Sequence, residues 1–469
     1  MGFKRFLSVI LAVLLPSCAG FRNSDLYFNG LNTHLQQGNF QQALQQIEQG
    51  RTQQFYSKKD RVLYYLDKGA VLYYNGEYEQ SNLALHEAET AMEELFTKSI
   101  SNATASLLLN DNMLAYSGEV YENFYVNIFK ALNYLNMKKF DDAYVEIRRV
   151  NVKLRELSDK YEEMVQKMNA SDDADIPIRA QSLNFHNNAL AHYISYLIFR
   201  AEKEWDNCRI SLNNVKSAVQ THSNIYRNSL PDFMLEDMKT FSREGNYAMR
   251  PDRLHRLTVL SFVGKAPKKC EIGGKITTYD NAIGISELDI PVTLPNIPFP
   301  GMKAGYHFKF AFPILKEGSS VVNRIDVMID GRRAGRLFLF EDMGKIAVHT
   351  FKTKRDIIYF KTLIRTVIKG LAAAEAKKKL REETNANELG GWLINALVDA
   401  GVDATERADL RSWHTMPQHC YIGEMKVRPG VYEVALDYFD VNNQLIASQN
   451  FGSVKTNPDI NLLDSVLLY

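Results

Sequence analysis

The strongest constraint on the fold is a change in the spacing of apolar residues near position 250. From about Ser24 to Asn246, apolar residues recur every three or four positions and Pro and Gly are rare, which is typical of amphipathic helices. After Pro251 the apolar residues alternate in short segments separated by turn residues, which is typical of β-strands. The sequence therefore predicts an α+β protein, with a helical part followed by a β-rich part.

A short motif recurs in the helical part, with an aromatic residue followed three positions later by a small one. The pairs are Phe40 and Ala43, Tyr78 and Ser81, Phe140 and Ala143, and Trp205 and Cys208. Each pair predicts a helical hairpin, and such hairpins bury their apolar faces by stacking on one another. Residues 35–47 and 131–147 resemble the tetratricopeptide repeat most closely. The aromatic positions lie 38, 62 and 65 residues apart, whereas that family repeats at about 34 residues. The resemblance implies an irregular tetratricopeptide-like solenoid, and an unrelated helical bundle is the alternative.

The β-rich part is expected to form a β-sandwich of about six strands. The predicted strands are residues 256–263, 306–315, 324–329, 336–340, 420–426, 431–439 and 445–450. Asp330-Gly331 predicts a tight hairpin between two of them. A helical insertion at about 352–410 interrupts the sheet.

The N-terminus carries the features of an export signal. Lys4 and Arg5 precede a run of apolar residues, 6–15, which is too short to span a bilayer. Residues 15–18, Leu-Pro-Ser-Cys, resemble the lipobox of bacterial lipoproteins. That resemblance implies cleavage before Cys18 and acylation of its thiol, and Ala19 after it implies the periplasmic leaflet of the outer membrane. The expected organisation is therefore a signal peptide at 1–17, a helical domain at 18–250 and a β-rich domain at 251–469.

Tyrosines are frequent in the helical part, and one group alternates with acidic residues. It consists of Tyr116, Glu119, Tyr121, Glu122 and Tyr125. Tyr is a good anchor for a bound partner because it combines a large apolar area with a polar tip. We therefore expect these residues to form a partner-binding face on the concave side of the solenoid. The alternative is that they are packing residues.

The helical insertion is strongly basic, with ten Lys and Arg but only two acidic residues between Lys352 and Arg381. Lys361, Arg365 and Lys369 are spaced four apart and are expected to form one basic stripe. Such a stripe on a membrane-tethered protein is suited to an anionic lipid surface. Packing against the sandwich, with the stripe in solvent, and self-association are the alternatives.

The segment that follows the insertion, 405–413, alternates charges beside a tryptophan. Its residues Glu406, Arg407, Asp409, Arg411 and Trp413 are expected to form a buried ion-pair network at the domain junction, or else a recognition site. Together with the lipobox and the helical array, this segment resembles a family of uncharacterised bacterial lipoproteins with tetratricopeptide-like N-terminal halves. The resemblance implies the architecture and carries no activity.

The sequence contains few signs of catalysis. No His-Glu-x-x-His, Gly-x-Ser-x-Gly or Walker-type motif occurs. His414, His419 and Cys420 are the nearest approach to a metal cluster, but we expect no metal and no cofactor. Cys270 and Cys420 are the expected pair if a disulfide forms. The 56 basic and 55 acidic residues nearly balance, with or without Lys4 and Arg5, which argues against nucleic acid as a partner.

These features predict a non-enzymatic lipoprotein that acts as an interaction scaffold or as an assembly or regulatory factor in the bacterial envelope. Its expected partners are envelope proteins, bound by the helical array, and the membrane, through the lipid anchor. Two alternatives remain. One is an enzyme acting on peptidoglycan or glycan, which requires an acidic cleft with two carboxylates. The other is a membrane-contacting or oligomeric component that uses the helical insertion.

Overall fold

The computed structural model describes residues 24–101, 110–169, 183–226, 229–243, 254–265, 267–288, 297–298, 302–384 and 407–469. Helices fill the described N-terminal part and strands follow, so the α+β prediction is confirmed. The helices are α1 (Ser24–Gln36), α2 (Phe40–Thr52), α3 (Arg61–Tyr74), α4 (Tyr78–Ser101), α5 (Val120–Asn136), α6 (Phe140–Asn169), α7 (Ala189–Ala201), α8 (Trp205–Thr221), α9 (Asp232–Arg243) and α10 (Met343–Thr384). Lys58–Asp60 and Asp111–Met113 are short 3₁₀ turns.

The strands form three sheets of four strands each within the described residues. They are β1 (His255–Val263), β2 (Lys268–Tyr279), β3 (Ala282–Leu288), β4 (Ile297–Pro298), β5 (His307–Lys316), β6 (Arg324–Ile329), β7 (Arg332–Arg336), β8 (Phe338–Asp342), β9 (His419–Val427), β10 (Val431–Phe439), β11 (Leu445–Lys455) and β12 (Asn461–Leu467). The first sheet has the order β12-β1-β9-β8, the second β11-β10-β6-β7, and the third β4-β3-β2-β5. In the first sheet β12 runs parallel to β1, whereas the other pairs are antiparallel.

Each copy of the recurrent motif begins the second helix of a helical hairpin, as predicted. The three residues between the paired helices have the same conformation in all four hairpins. The middle residue has a positive φ in each case: Gly38, Gly76, Lys138 and Lys203. The small residue of each motif is buried where the two helices meet: Ala43, Ser81, Ala143 and Cys208. The hairpins are therefore α1/α2, α3/α4, α5/α6 and α7/α8.

The predicted hairpin at Asp330-Gly331 is confirmed. It joins β6 to β7, and φ is +50° at Asp330 and +71° at Gly331, as a two-residue turn of this type requires. The prediction of a single strand over residues 336–340 is wrong. The chain leaves the second sheet after Arg336 and enters the first sheet at Phe338, so two strands replace the one expected.

The helical insertion begins earlier than expected, because α10 starts at Met343 directly after β8, nine residues before Lys352. One face of α10 packs on the third sheet, where Leu363 and Val367 join a buried cluster with Phe310 and Phe312. The remaining predicted insertion residues, 385–406, lie outside the described residues.

The first sheet is the central layer of the protein. Leu257, Val259 and Val263 of β1 point to one side and share a hydrophobic cluster with the second sheet. Leu260 and Phe262 point to the other side and belong to the large cluster that includes the helices. Side chains of a strand alternate between the two faces, and here both faces are covered. One hydrophobic core thus joins the helical part to the sheet.

Candidate functional site

The first helix of each of the last three hairpins, α3, α5 and α7, faces the first sheet. We call the side formed by these helices the inner face. Hydrogen bonds fix each helix to a strand. Tyr73 of α3 donates to Asp464 of β12 at 2.5 Å, and Arg200 of α7 donates to both carboxylate oxygens of Glu424 of β9 at 2.7 and 2.8 Å. Tyr125 of α5 donates to a carboxylate of β8. The inner face is therefore closed by the chain's own sheet.

That carboxylate is Glu341, which is fully buried and accepts four hydrogen bonds. The donors are the Tyr125 hydroxyl at 2.6 Å, the Asn188 amide at 2.8 Å, the Tyr226 hydroxyl at 3.1 Å and the Leu190 backbone N–H at 3.2 Å. Burial raises the pKa of Glu341, although the hydrogen bonds act in the opposite direction. Because β8, α5, the start of α7 and Tyr226 all meet at this carboxylate, it is a structural anchor.

Glu122 is a second buried anchor, between α5 and the segment before β9. Its carboxylate accepts from the Tyr116 hydroxyl at 2.7 Å, from the backbone N–H of Glu119 at 2.9 Å and from the backbone N–H of Trp413 at 2.7 Å. Burial raises the pKa of Glu122, and the nearby Glu119 carboxylate adds to this rise. The indole of Trp413 is completely buried and lies edge-on to Phe129.

The expected partner-binding face on Tyr116, Glu119, Tyr121, Glu122 and Tyr125 must therefore be corrected. Each of these five side chains is at most 2% exposed. The strands and the segment 407–418 cover them, so they are packing residues and form no exposed face for a partner protein. The sequence could reveal that this face is apolar with polar tips, but not that a distant part of the same chain covers it.

The segment 407–413 lies at the junction of the helices and the sheets. Arg411 binds Asp409 through two nitrogens at 2.8 Å and Asp60 at 2.9 Å. The backbone carbonyl of Arg407 accepts hydrogen bonds from Asn110 and Asn112. Glu406 lies outside the described residues. The Arg411–Asp60 ion pair holds this segment against the turn that precedes α3, and the hydrogen bonds from Asn110 and Asn112 hold it against the turn that precedes α5.

A cavity of about 330 Å³ lies beside this segment. Its apolar walls come from α4, α6 and α10: Leu95, Phe96, Tyr161, Met164, Ile357 and Ile358. Its charged lining comprises five basic and three acidic side chains: Lys98, Lys269, Lys354, Lys361 and Arg411, with Asp111, Glu119 and Asp409. This volume and this mixture of apolar walls with a few polar groups are typical of small-molecule sites. We call it the junction cavity.

Glu119 is the central charged group of the junction cavity. Lys269 and Lys354 both donate to its Oε1, at 2.5 and 3.2 Å. The other oxygen, Oε2, is buried and accepts no hydrogen bond from the described residues. Two ammonium groups thus share one carboxylate oxygen, while a second oxygen is left without a donor. A buried polar atom without a hydrogen-bond partner lowers the stability of the folded protein.

The expected membrane-facing stripe must also be corrected. Lys361 is 9% exposed and Arg365 is 2% exposed, and Lys369 is half-buried. Lys361 lines the junction cavity and pairs with Asp111 at 3.5 Å. The stripe is buried because α10 is covered by the third sheet on one side and by the helices on the other.

The pKa values of Cys208, Cys420 and Asp409 do not suit a nucleophile or a general acid. Burial raises the pKa of Cys208 to about 12 and that of Cys420 well above its usual value, so neither thiol is a ready nucleophile. Burial opposes ionisation of Asp409, but Arg411 lowers the pKa of that carboxyl to about 2, so it is ionised at neutral pH. A general acid needs a raised pKa.

The described residues contain neither the expected disulfide nor a cluster that could bind a metal ion. Cys208, Cys270 and Cys420 are all unpaired, so the expected bond between Cys270 and Cys420 is wrong. No group of three His, Cys, Asp or Glu side chains there could hold a metal ion. His414 stacks on Phe28 and His419 contacts Asp342, so these histidines serve packing and pairing instead. Cys18 lies outside the described residues.

A second candidate surface lies on the opposite side of the helical array. Leu83, Val145 and Ile210 are 70%, 49% and 47% exposed. Each is the sixth residue of the second helix of its hairpin, in α4, α6 and α8 respectively. Equivalent positions in successive hairpins therefore carry an exposed apolar side chain, and we call these three residues the outer row. The signal was present in the sequence, since each residue lies five positions after a motif aromatic.

Among the described helices, none is long and apolar enough to cross a membrane. Comparisons with protein-family models, curated proteins and solved structures find no match to this chain.

Proposed function

We propose that this protein is a non-catalytic, lipid-anchored interaction protein of the bacterial envelope, which acts as a scaffold or as an assembly or regulatory factor. In this proposal, Cys18 carries the acyl anchor in the periplasmic leaflet of the outer membrane. The helical hairpins form a tetratricopeptide-like array, and the first and second sheets form a β-sandwich. An envelope protein binds the outer row.

The observation that carries the proposal is the equivalence of the three exposed residues of the outer row. Single exposed apolar side chains are common on protein surfaces and need no explanation. Here the same hairpin position is apolar and exposed three times in succession. In this proposal the stacked hairpins place these equivalent positions on one side of the array. The three apolar side chains there suit a partner helix or an extended segment with matching apolar residues.

The closed inner face supports this choice of surface. A tetratricopeptide-like array commonly uses its concave side for binding, but here Tyr73, Tyr125 and Arg200 hold the chain's own strands on that side. A partner that bound there would have to displace a buried hydrophobic core. The outer helices α4, α6 and α8 are the remaining surface of the array.

The two alternative functions receive less support. An enzyme acting on glycans requires a carboxyl group with a raised pKa in an open acidic cleft, and the Asp409 carboxyl has a lowered pKa and lies among four lysines and an arginine. A membrane-contacting role for the insertion requires an exposed stripe, and Lys361 and Arg365 are buried. The lipid anchor strengthens the interaction proposal, because confinement to a membrane surface makes modest affinities effective.

Affinity purification from crosslinked native envelopes tests the proposal. We compare the native protein with the triple variant L83Q/V145Q/I210Q and with a control, V441Q/L445Q, which changes two exposed apolar residues of the β-rich part. A C18A strain tests the contribution of the anchor. We expect one envelope protein to be recovered with the native chain and the control, and to be lost with the triple variant. Equal recovery with the triple variant, or no specific partner, would contradict the proposal.

A further inference from the structure

The junction cavity has a feature that its structural contacts do not use. Lys354, Ile357, Ile358 and Lys361 all line it from α10. Their spacing of three, four and seven residues places them on one face of the helix. That face has a cation at each end and two apolar side chains between them. The helix therefore presents an amphipathic surface toward the junction cavity.

The apolar walls opposite this face come from two other helices. Leu95 and Phe96 of α4 and Tyr161 and Met164 of α6 line the cavity, and the rings of Phe96 and Tyr161 lie edge to face at 5.1 Å. An apolar group between α10 and these two helices would remove further apolar surface from water, which is favourable. The cavity is thus suited to an apolar chain or ring.

The charged end of the cavity favours an anion. Lys269 and Lys354 share a single carboxylate oxygen of Glu119, although each ammonium group has three donors. Lys354 uses two of its donors on Gly118 and Glu119. Lys361 and Arg411 line the same space, where they pair with Asp111 and Asp409 respectively. A carboxylate or phosphate there would accept charge-assisted hydrogen bonds, which are the stronger class.

The buried Oε2 of Glu119 places a second requirement on the ligand. It is an acceptor without a donor, beside a cluster of cations. An anion alone would not satisfy it and would be repelled by it. A hydroxyl or amine next to the anionic group would donate to Oε2 while the anion binds the lysines. The ligand therefore needs a donor close to its charge.

We propose that the junction cavity binds an anionic amphiphile, in which an apolar chain ends in a carboxylate or phosphate with a hydroxyl or amine beside it. The chain lies between α4, α6 and α10, and the anion contacts Lys354 and Lys269. This site is independent of the outer row, so either proposal can fail without the other.

Displacement of the fluorescent probe anilinonaphthalenesulfonate from the purified full chain, in buffer without detergent, tests the inference. The competitors are dodecanoate, β-hydroxydodecanoate, dodecanol and dodecylammonium, which share one chain length. We expect dodecanoate to compete about tenfold better than dodecanol, because a hydrogen bond to a charged group contributes on this scale. β-Hydroxydodecanoate should bind more tightly than dodecanoate, and dodecylammonium least tightly.

Two variants and one control locate the site. K354M removes one ammonium group while Lys269 still neutralises Glu119, and it should weaken dodecanoate about tenfold. M164W fills the apolar end and should abolish displaceable probe binding. K352M, two residues away on the exposed side of α10, should bind as the native chain does. Thermal melting confirms that each variant is folded.

Three results of these experiments would overturn the inference. Equal competition by dodecanol and dodecanoate, or native binding by both K354M and M164W, would overturn the inference. Tighter binding of free inorganic phosphate than of any amphiphile would also overturn it, because the apolar walls would then play no part.

Discussion

Substitution of Glu89 by Gln should destabilise the protein by a predictable amount, because its carboxylate is the centre of a buried ion-pair network. Glu89 lies on α4 and is 4% exposed. It accepts from Lys153 at 2.5 Å, from Lys130 at 2.8 Å and from the amide of Asn127 at 3.0 Å. These donors come from α5 and α6, so the network joins the second hairpin to the third.

The pKa of Glu89 gives the size of the effect. Burial alone would raise the pKa, but Lys153 and Lys130 lower it from 4.5 to about 2. A shift of this size corresponds to about 3 kcal/mol of stability at neutral pH. In the E89Q variant, Lys130 keeps Glu146 at 2.9 Å, and Lys153 keeps only Glu93 at 3.9 Å. We therefore expect the free energy of unfolding at pH 7 to fall by about 3 kcal/mol.

The sign of the pH dependence follows from the lowered pKa. The contribution of Glu89 is fully present above the unfolded pKa of 4.5 and is lost as the pH falls toward about 2. The difference between the native chain and E89Q should therefore shrink on acidification, to about 1.4 kcal/mol at pH 3. Urea unfolding followed by circular dichroism, at pH 7 and pH 3, measures both values.

An exposed glutamate on the same helix supplies a matched control. Glu87 lies two residues before Glu89 on α4 but points to solvent, so E87Q should change the free energy of unfolding by less than about 0.5 kcal/mol. A loss below about 1 kcal/mol for E89Q, or a difference that does not depend on pH, would refute the reasoning about this network.

Two substitutions at the junction and one reduction experiment on the cysteines give three further predictions. W413A should lower the free energy of unfolding by about 3–5 kcal/mol in urea titrations, because the indole is completely buried. D409N should cost about 2 kcal/mol at pH 7, and this loss should fade as the pH drops from 3.8 toward about 2, since Arg411 holds the pKa of Asp409 down. Because Cys208, Cys270 and Cys420 are unpaired, dithiothreitol should leave the melting temperature unchanged, and a fall of several degrees would reveal a disulfide.

The sequence predicts the helical hairpins well because their signal is local. A turn of three residues with a positive φ at its centre requires a residue that tolerates this conformation, and Gly38 and Gly76 are the obvious candidates. The aromatic and the small residue that follow are fixed by packing within one hairpin. All of this lies within a dozen residues of the chain, so periodicity and composition are sufficient.

The closed inner face could not be predicted, because its contacts join residues far apart in the chain. Tyr125 and Glu341 are 216 residues apart, and Trp413 and Glu122 are 291 apart. The spacing of apolar residues shows that a helix has a buried face but not which element covers it. The same limit explains why the sequence pattern places the basic stripe of α10 on the surface, since the carboxylate that pairs with Lys361 is Asp111, 250 residues away.

The sequence predicts some strands but not others, because the apolar pattern is clear in some and interrupted in others. β10 alternates clearly because one of its faces lies in the core, and the sequence predicts both β10 and β6. The sequence does not predict β2, because Gly273-Gly274 and several lysines interrupt its apolar pattern. Its inward contacts are instead provided by Ile272 and Ile276, next to the phenylalanines of β5.

Hydrogen–deuterium exchange of α5 tests most directly whether the sheet closes the inner face of the helical array in solution. Fifteen of its seventeen residues are buried, and α5 lies between its neighbouring helices and the strands. Its central amides should exchange only through global unfolding, at the same rate as those of β1, and W413A should accelerate both together. Fast exchange of α5 in the native chain while β1 stays protected would show that the helical array and the sheet separate. The inner face would then be available to a partner, which would contradict its closure by the first sheet.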